Sequence, residues 1–255
     1  MNELKLTGRN KLVYNWIPKK VNNLLDAGCN FGYATYHFKN KCENCFGFDP
    51  SVNDINKAKK LFNNINFQVS FMEKTNYNSD FFDVIILADV FEHVKDEIKS
   101  LNEIYRILKD KGTLIITVPH KGLFSIFDPT NFIFYFRKYF SQIYDFLFFL
   151  KNKKKPGKSK PGWDSFHRHY SYKNLYSLLM KSSFNDQFIV EKVHKSSLFI
   201  GVLTMYLDIF LSLLFNKPIR DKILLPFHYL SNIDYKIKYG LFSYDLAIKI
   251  KKCVN

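Results

Sequence analysis

The stretch NNLLDAGCNFGYAT, residues 22–35, decides how the chain is read. It begins as a short apolar run, passes the acidic Asp26, turns at Gly28 and Gly32, and enters a helical pattern near Tyr33. Glycines are needed where the backbone bends sharply between a strand and a helix and lets a ligand come close. Farther along, FGFDPS (46–51) ends a second apolar run in Asp49, where a carboxylate can accept hydrogen bonds from both hydroxyls of a ribose. Turn and acid together predict a ligand that contains adenosine.

Outward from this unit the alternation continues. Apolar runs at 23–27, 45–48, 67–70, 84–88 and 113–118 predict strands, and helical spacing at 52–62 and 97–108 predicts helices between them. The class is α/β, a parallel sheet with helices on both faces, and ligands of such sheets bind outside the carboxyl ends of the strands. Leu12, Val13, Trp16 and Ile17 predict a short amphipathic helix ended by Pro18. A helix at 172–181 and strands at 188–193 and 244–250 return the chain to the sheet.

A nicotinamide dinucleotide site would carry G-x-G-x-x-G to seat a pyrophosphate on the helix N-terminus. Here Gly28 is followed by Asn30 and Gly32, with Asp26 beside the turn. That charge would repel a diphosphate and suits a cationic, amino-bearing ligand.

DAGCNFG (26–32) is similar to D-x-G-C-G-x-G, the first motif of the class I, Rossmann-like S-adenosylmethionine-dependent methyltransferases, and FDVIILADVFEHV (82–94) and LNEIYRILKDKGTLIITVP (101–119) are similar to its later motifs. The likeness covers about residues 22–119 and leans toward the type 11, ubiquinone-pathway kind. It implies a seven-stranded, mostly parallel sheet with an antiparallel last strand, and S-adenosylmethionine as cofactor. Gly28 and Gly32 would line its methionine and ribose portions, Asp26 would sit near its amino group, and Asp49 would bind the ribose diol. Cys29, Asn30, Pro50, Met72, Ala88 and Asp89 complete the expected cofactor set. Two positions depart from the family pattern. Asn30 stands for the middle glycine, tolerable because Asn enters the left-handed region more readily than most residues. Phe71 stands where the family often has an acid facing adenine, so adenine is expected to be held by stacking and by a backbone contact near Met72.

Asp89, Glu92 and His93 follow the fourth strand. D-x-x-E reads as a helix cap, with Asp89 as N-cap. D-x-x-E-H also resembles the metal-binding E-x-x-E-H of ubiquinone-pathway and small-RNA methyltransferases, which makes Asp89, Glu92 and His93 metal candidates, joined by the histidines of HRHY (167–170); a divalent metal is not the favoured reading. Methyl transfer needs donor and acceptor aligned, and a hydroxyl acceptor must also lose its proton. Histidine suits that task by its pKa. His169 and His93 rank first as general base, followed by His167 and His120.

Hydrophobic residues make up 47% of the chain, with 27 Phe and 16 Tyr, which excludes a disordered or fibrous protein. The formal charge of +15 predicts an anionic partner, unless it reflects a general lysine bias. Four cysteines without a leader segment predict a reducing, cytoplasmic setting; Cys42 and Cys45 form a CxxC that lacks the second pair zinc would need. One methyltransferase domain is expected over 1–255, with its cofactor core at 20–119 and insertions at 121–169 and 196–238 forming a substrate lid or a membrane-facing surface. The first insertion joins aromatics (123–150) to a basic loop (151–162), a pairing suited to lipid headgroups. The second holds an apolar stretch at 198–215, read as a monotopic helix or a packed lid. The expected acceptor is a hydroxyl on a hydrophobic or lipid-linked small molecule or glycan, met at the inner membrane surface. An RNA methyltransferase and a non-catalytic cofactor-binding protein stand as alternatives, nucleic acid ranking below the small molecule.

Overall fold

Leu24 and Leu25 are neighbours on Val21–Ala27 (β1), point to opposite faces of the sheet, and are both fully buried. A strand covered on both faces reads as a continuous apolar run, which is the pattern of a central parallel strand. In the computed structural model, which describes residues 6–123, 125, 128–152, 167–197 and 200–253, β1 pairs in parallel with Cys42–Asp49 (β2) on one side. Asn66–Val69 (β3) lies parallel beyond β2. On its other side β1 pairs in parallel with Phe82–Ala88 (β4), and β4 with Leu108–Pro119 (β5). Phe188–Ser196 (β6) and Asp245–Lys252 (β7) complete a seven-stranded sheet of order β3-β2-β1-β4-β5-β7-β6. The order reverses at β1 and β4, so their carboxyl ends flank the switch point at which such sheets bind ligands.

The alternation of side chains builds two cores. Leu25, Ile85, Leu87, Leu114, Ile116 and Ile248 pack on one face with Leu101 and Ile104 of Glu97–Ile107 (α4) and Leu175 and Leu179 of Tyr172–Lys181 (α7). Leu24, Val84, Ile86 and Ile115 pack on the other with Val13 of Gly8–Trp16 (α1), Phe38 of Tyr33–Phe38 (α2), and Ile55 and Ala58 of Val52–Leu61 (α3). Each fully buried side chain of this size contributes about 1.5–3 kcal/mol. Ser51 caps α3 by accepting from Asp54 N, and Ser171 caps α7 in a capping box with Asn174.

The strands outrun their apolar cores. β5 begins at Leu108 rather than 113 because Lys109–Lys111 leave the buried region and carry no apolar signal. The cap expected at Asp89 is corrected: α4 is capped by Asp96, whose Oδ1 accepts from Lys99 N at 2.9 Å.

The chain forms two compact units. One runs to Val118 and adds Tyr170–His194 and the residues from Asp245; it holds the sheet. The other comprises Pro119–His169 and Lys195–Tyr244. Its helices are Pro129–Tyr139 (α5), Ser141–Asn152 (α6), Ile200–Leu214 (α8) and Lys217–Asp234 (α9), with α8 packed on α9 and α5 on both α6 and α8. Pro226 lies inside α9 and does not end it. The apolar stretch at 198–215 is helical over α8, whose 15 residues span about 22 Å against a hydrocarbon core of about 30 Å. Among the described residues no helix is long and apolar enough to cross a membrane. The basic loop expected at 151–162 lies, from residue 153, outside the described residues.

Candidate cofactor site

Gly28 and Gly32 both take positive φ, +82° and +81°. A Cβ on Gly28 would lie 2.3 Å from Val90 Cγ2, and one on Gly32 would lie 2.6 Å from Phe67 Cζ, so space as well as conformation demands glycine. The N–H groups of Gly28 and Cys29 donate to Phe48 O at 2.8 and 2.9 Å, tying the turn to the end of β2. Asn30, at φ +50°, takes the left-handed conformation expected of it. Its N–H donates to Asp49 Oδ2 at 3.0 Å, and Asp49 Oδ1 accepts from Ser51 N at 2.8 Å. The two amide bonds fix the plane of the Asp49 carboxylate against the glycine turn.

Asp26 is buried, and its Oδ2 accepts from Thr35 Oγ1 at 2.6 Å. Burial pushes its pKa up to about 6, the Thr35 hydrogen bond pulls it back, and the charge of Asp49 adds a further push. Two mutually repelling carboxylates at one turn favour a cation and disfavour a diphosphate. A ligand bearing an ammonium group and a ribose diol fits this donor and acceptor set. Cys29 turns its side chain into the core, where burial and the same two carboxylates hold the thiol far above its ordinary value.

At the end of β4, half-buried Ala88 leads to Asp89, at φ +53°. Asp89 Oδ1 accepts from Thr117 Oγ1 at 3.1 Å, and Asp89 Oδ2 lies 2.5 Å from Arg9 Nη2. Arg9, on α1, also reaches Asp245 Oδ1 at 2.9 Å. Glu92 is buried in a 3-10 turn, Phe91–His93, and burial, reinforced by Asp89, holds its carboxyl well above the usual range. Arg9 thus already meets the Asp89 carboxylate with a cation. Among the described residues no three His, Cys, Asp or Glu side chains are placed to hold an ion.

Met72 packs its side chain into the core, while Phe71 is 57% exposed and Pro50 is exposed. Phe31, a variable position of the motif, is exposed within the turn, with Lys57 Nζ 4.4 Å from its ring centroid. Arg9 and Asp245 also went unnoticed; they lie far from the motifs and leave no local sign. Thr35 was legible as a hydroxyl one turn into the helix after the glycines. A cavity of about 460 Å³ beside β3, lined by Phe46, Phe62, Phe67, Gln68 and Tyr77, includes none of the turn residues.

Of the candidate bases, half-buried His93 ends the 3-10 turn in the sheet unit. The other three belong to the second unit. Asp128 is fully buried there, with His169 Nε2 at 3.1 Å and His167 Nδ1 at 3.3 Å from its Oδ2. Asn131 clamps the His167 backbone, its Oδ1 accepting from His167 N at 2.7 Å and its Nδ2 donating to His167 O at 3.2 Å. Buried His120 has Nδ1 3.1 Å from Ser243 O and 2.9 Å from Ser243 Oγ, and burial lowers its pKa.

Residues 25–116 match a protein-family model described as a methyltransferase domain. Uncharacterized protein MJ0638 of Methanocaldococcus jannaschii is 39% identical over 107 residues, which cover 40% of this chain and 43% of that protein. The mitochondrial ubiquinone biosynthesis O-methyltransferase of Rattus norvegicus is 30% identical over 112 residues, 41% of this chain and 32% of that protein. The crystal structure of the YcgJ protein from Bacillus subtilis aligns with a TM-score of 0.56 at 15% identity, over 96% of this chain and 98% of its own, a likeness of fold. The chain thus spans less than half the length of the curated relatives it matches.

Proposed function

We propose that this chain, whose residues 25–116 carry a domain of the S-adenosylmethionine-dependent methyltransferases, methylates a hydroxyl on a hydrophobic or lipid-linked small molecule or glycan. The observation that carries the reading is the bond from Asn30 N to Asp49 Oδ2, which joins the glycine turn and the acid of β2 into one receptor for an adenosine with a cationic arm.

When bound, S-adenosylmethionine supplies a methyl carbon made electrophilic by its sulfonium. Asp49 would hold the ribose hydroxyls and Asp26 the ammonium, with the bare backbones of Gly28 and Gly32 allowing close approach. Exposed Phe71 would offer a stacking face, and the backbones of Cys29, Asn30, Pro50, Met72, Ala88 and Asp89 would complete the cofactor set. Fixing the cofactor makes the displacement effectively unimolecular once the acceptor is aligned. His169 takes the hydroxyl proton, and the buried Asp128 carboxylate steadies the resulting imidazolium; His167 and His93 are the alternatives for that role. The reaction takes place on the cytoplasmic side of a membrane, where the protein is peripheral.

Incubation of the purified protein with a methyl-tritiated donor and a total lipid extract, and in parallel with total RNA, tests the proposal. Label should enter the organic phase, resist alkaline hydrolysis and be released by treatment that cleaves methyl ethers; alkali-labile label would mean a carboxylate acceptor and overturn the hydroxyl assignment. Label found only in RNA, or in no acceptor at all, would overturn it.

A further inference from the structure

The second unit contains a helix, α6, that is rich in apolar residues and leaves most of them exposed. Over residues 141–150, α6 carries Ile143, Tyr144, Phe146, Leu147, Phe148, Phe149 and Leu150, and no residue of that run is buried. Ile143, Phe146, Leu147 and Leu150 form one stripe at i, i+3, i+4 and i+7, each about half exposed or more. A helix of this composition is stable only when something apolar covers it.

Its neighbours say what kind of cover fits. At the corner between α5 and α6 cations and aromatics pair, Lys138 Nζ lying 5.5 Å from the Tyr139 ring centroid and Arg137 Cζ 5.5 Å from that of Tyr144. Basic side chains that lie along aromatic rings at the rim of an apolar surface suit a headgroup layer. The α8–α9 hairpin repeats the pattern, with Phe210, Leu214, Leu225 and Tyr229 exposed and Lys217 and Lys222 on the same hairpin. Net positive charge is concentrated in this unit because acids are sparse there: its sequence holds 16 of the 38 Lys and Arg, in proportion to its length, but only 6 of the 23 Asp and Glu.

We infer that the α5–α6 corner docks on an anionic bilayer, with the α6 stripe entering the acyl boundary and Arg137 and Lys138 meeting lipid phosphates. The inference deepens the peripheral reading given above and rests on it for its link to a lipid-linked acceptor. The α6 helix is too short to cross a bilayer, so it lies in the interface.

Co-sedimentation of the full chain with vesicles tests it. Vesicles containing about one third phosphatidylglycerol should bind at least roughly tenfold more tightly than pure phosphatidylcholine. Combining Phe146→Glu with Leu150→Glu should remove that binding by a further factor of roughly ten or more, with S-adenosylmethionine affinity in lipid-free solution unchanged. In a Phe146→Trp variant, brominated acyl chains should quench the added fluorescence, a reading independent of how the charged variant folds. Absence of binding to anionic vesicles overturns the inference. So does a dimer that the charged variant dissociates, which gives the face to a second copy, or RNA binding with no vesicle binding. Cofactor affinity without lipid reports on the catalytic reading alone, so the two can fail separately.

Discussion

Asn30 N lies 3.0 Å from Asp49 Oδ2, so the residue that replaces the middle glycine of the turn is bonded to the acid that ends the next strand. The left-handed conformation of Asn30 aims its N–H at β2, and the bond couples the shape of the turn to the direction of the carboxylate.

Asp49→Ala removes that bond, the one from Ser51 N, and the proposed acceptor for the ribose. Hydrogen bonds to a charged group contribute about 1.5–3 kcal/mol each, so titration calorimetry should show S-adenosylmethionine affinity reduced at least roughly a hundredfold. NADH should bind neither protein appreciably. A variant that binds the cofactor as the wild type does would remove Asp49 from the site.

Asp26 gives the site a pH dependence of known sign. Its folded pKa, near 6, lies above that of an unfolded carboxyl, so the folded protein holds this proton more tightly. Its contribution to stability is present at acid pH and is lost as pH rises from the ordinary carboxylate range through about 6. Binding of an ammonium needs the ionised form, so cofactor affinity should fall by up to tenfold per pH unit below about 6. Asp26→Asn should raise the stability of the unliganded fold at neutral pH by up to about 3 kcal/mol, weaken cofactor binding, and flatten this pH profile. Calorimetry across the acid range settles it; an unaltered slope in the variant would assign the titration to another group.

Arg9 is the cation among three carboxylates, Asp89, Glu92 and Asp245. Arg9→Met keeps the bulk and removes the charge. Breaking a buried pair costs about 3–5 kcal/mol, and the part-exposed guanidinium brings the expectation down to about 2 kcal/mol at neutral pH. The raised Glu92 pKa fixes the sign of its pH dependence: the loss should shrink as pH falls toward the ordinary carboxylate range and the acids take up protons. Urea unfolding at two pH values measures it. A loss that is constant with pH would mean that Arg9 acts through packing alone.

The contrast between Asp49 and Asp89 explains what could be read in advance. Asp49 was legible because the strand, the turn and the spacing to the next acid are consecutive features of one folding unit. Asp89 was misread as a cap because D-x-x-E is a local pattern, whereas its partner, Arg9, arrives from α1 eighty residues earlier. The buried strands were legible from their apolar runs and their ends were not, since Lys109–Lys111 extend β5 beyond the core. The Asp128–His169 pair had no sign in the spacing, because its members stand 41 positions apart with α5 and α6 between them.

That pair makes the proposed proton transfer testable. If His169 is the base, His169→Ala should lower kcat by about 10²–10⁴ while the affinity for S-adenosylmethionine stays unchanged. Imidazole added to the assay should restore part of the lost rate, which a collapsed fold would not allow. Asp128→Asn keeps the volume and removes the buried charge that steadies the imidazolium, so it should lower kcat in the same sense and gain nothing from imidazole, the ring being already in place. Should His169→Ala turn over at the wild-type rate, the base passes to His93 or His167, and the same rescue experiment on each decides between them.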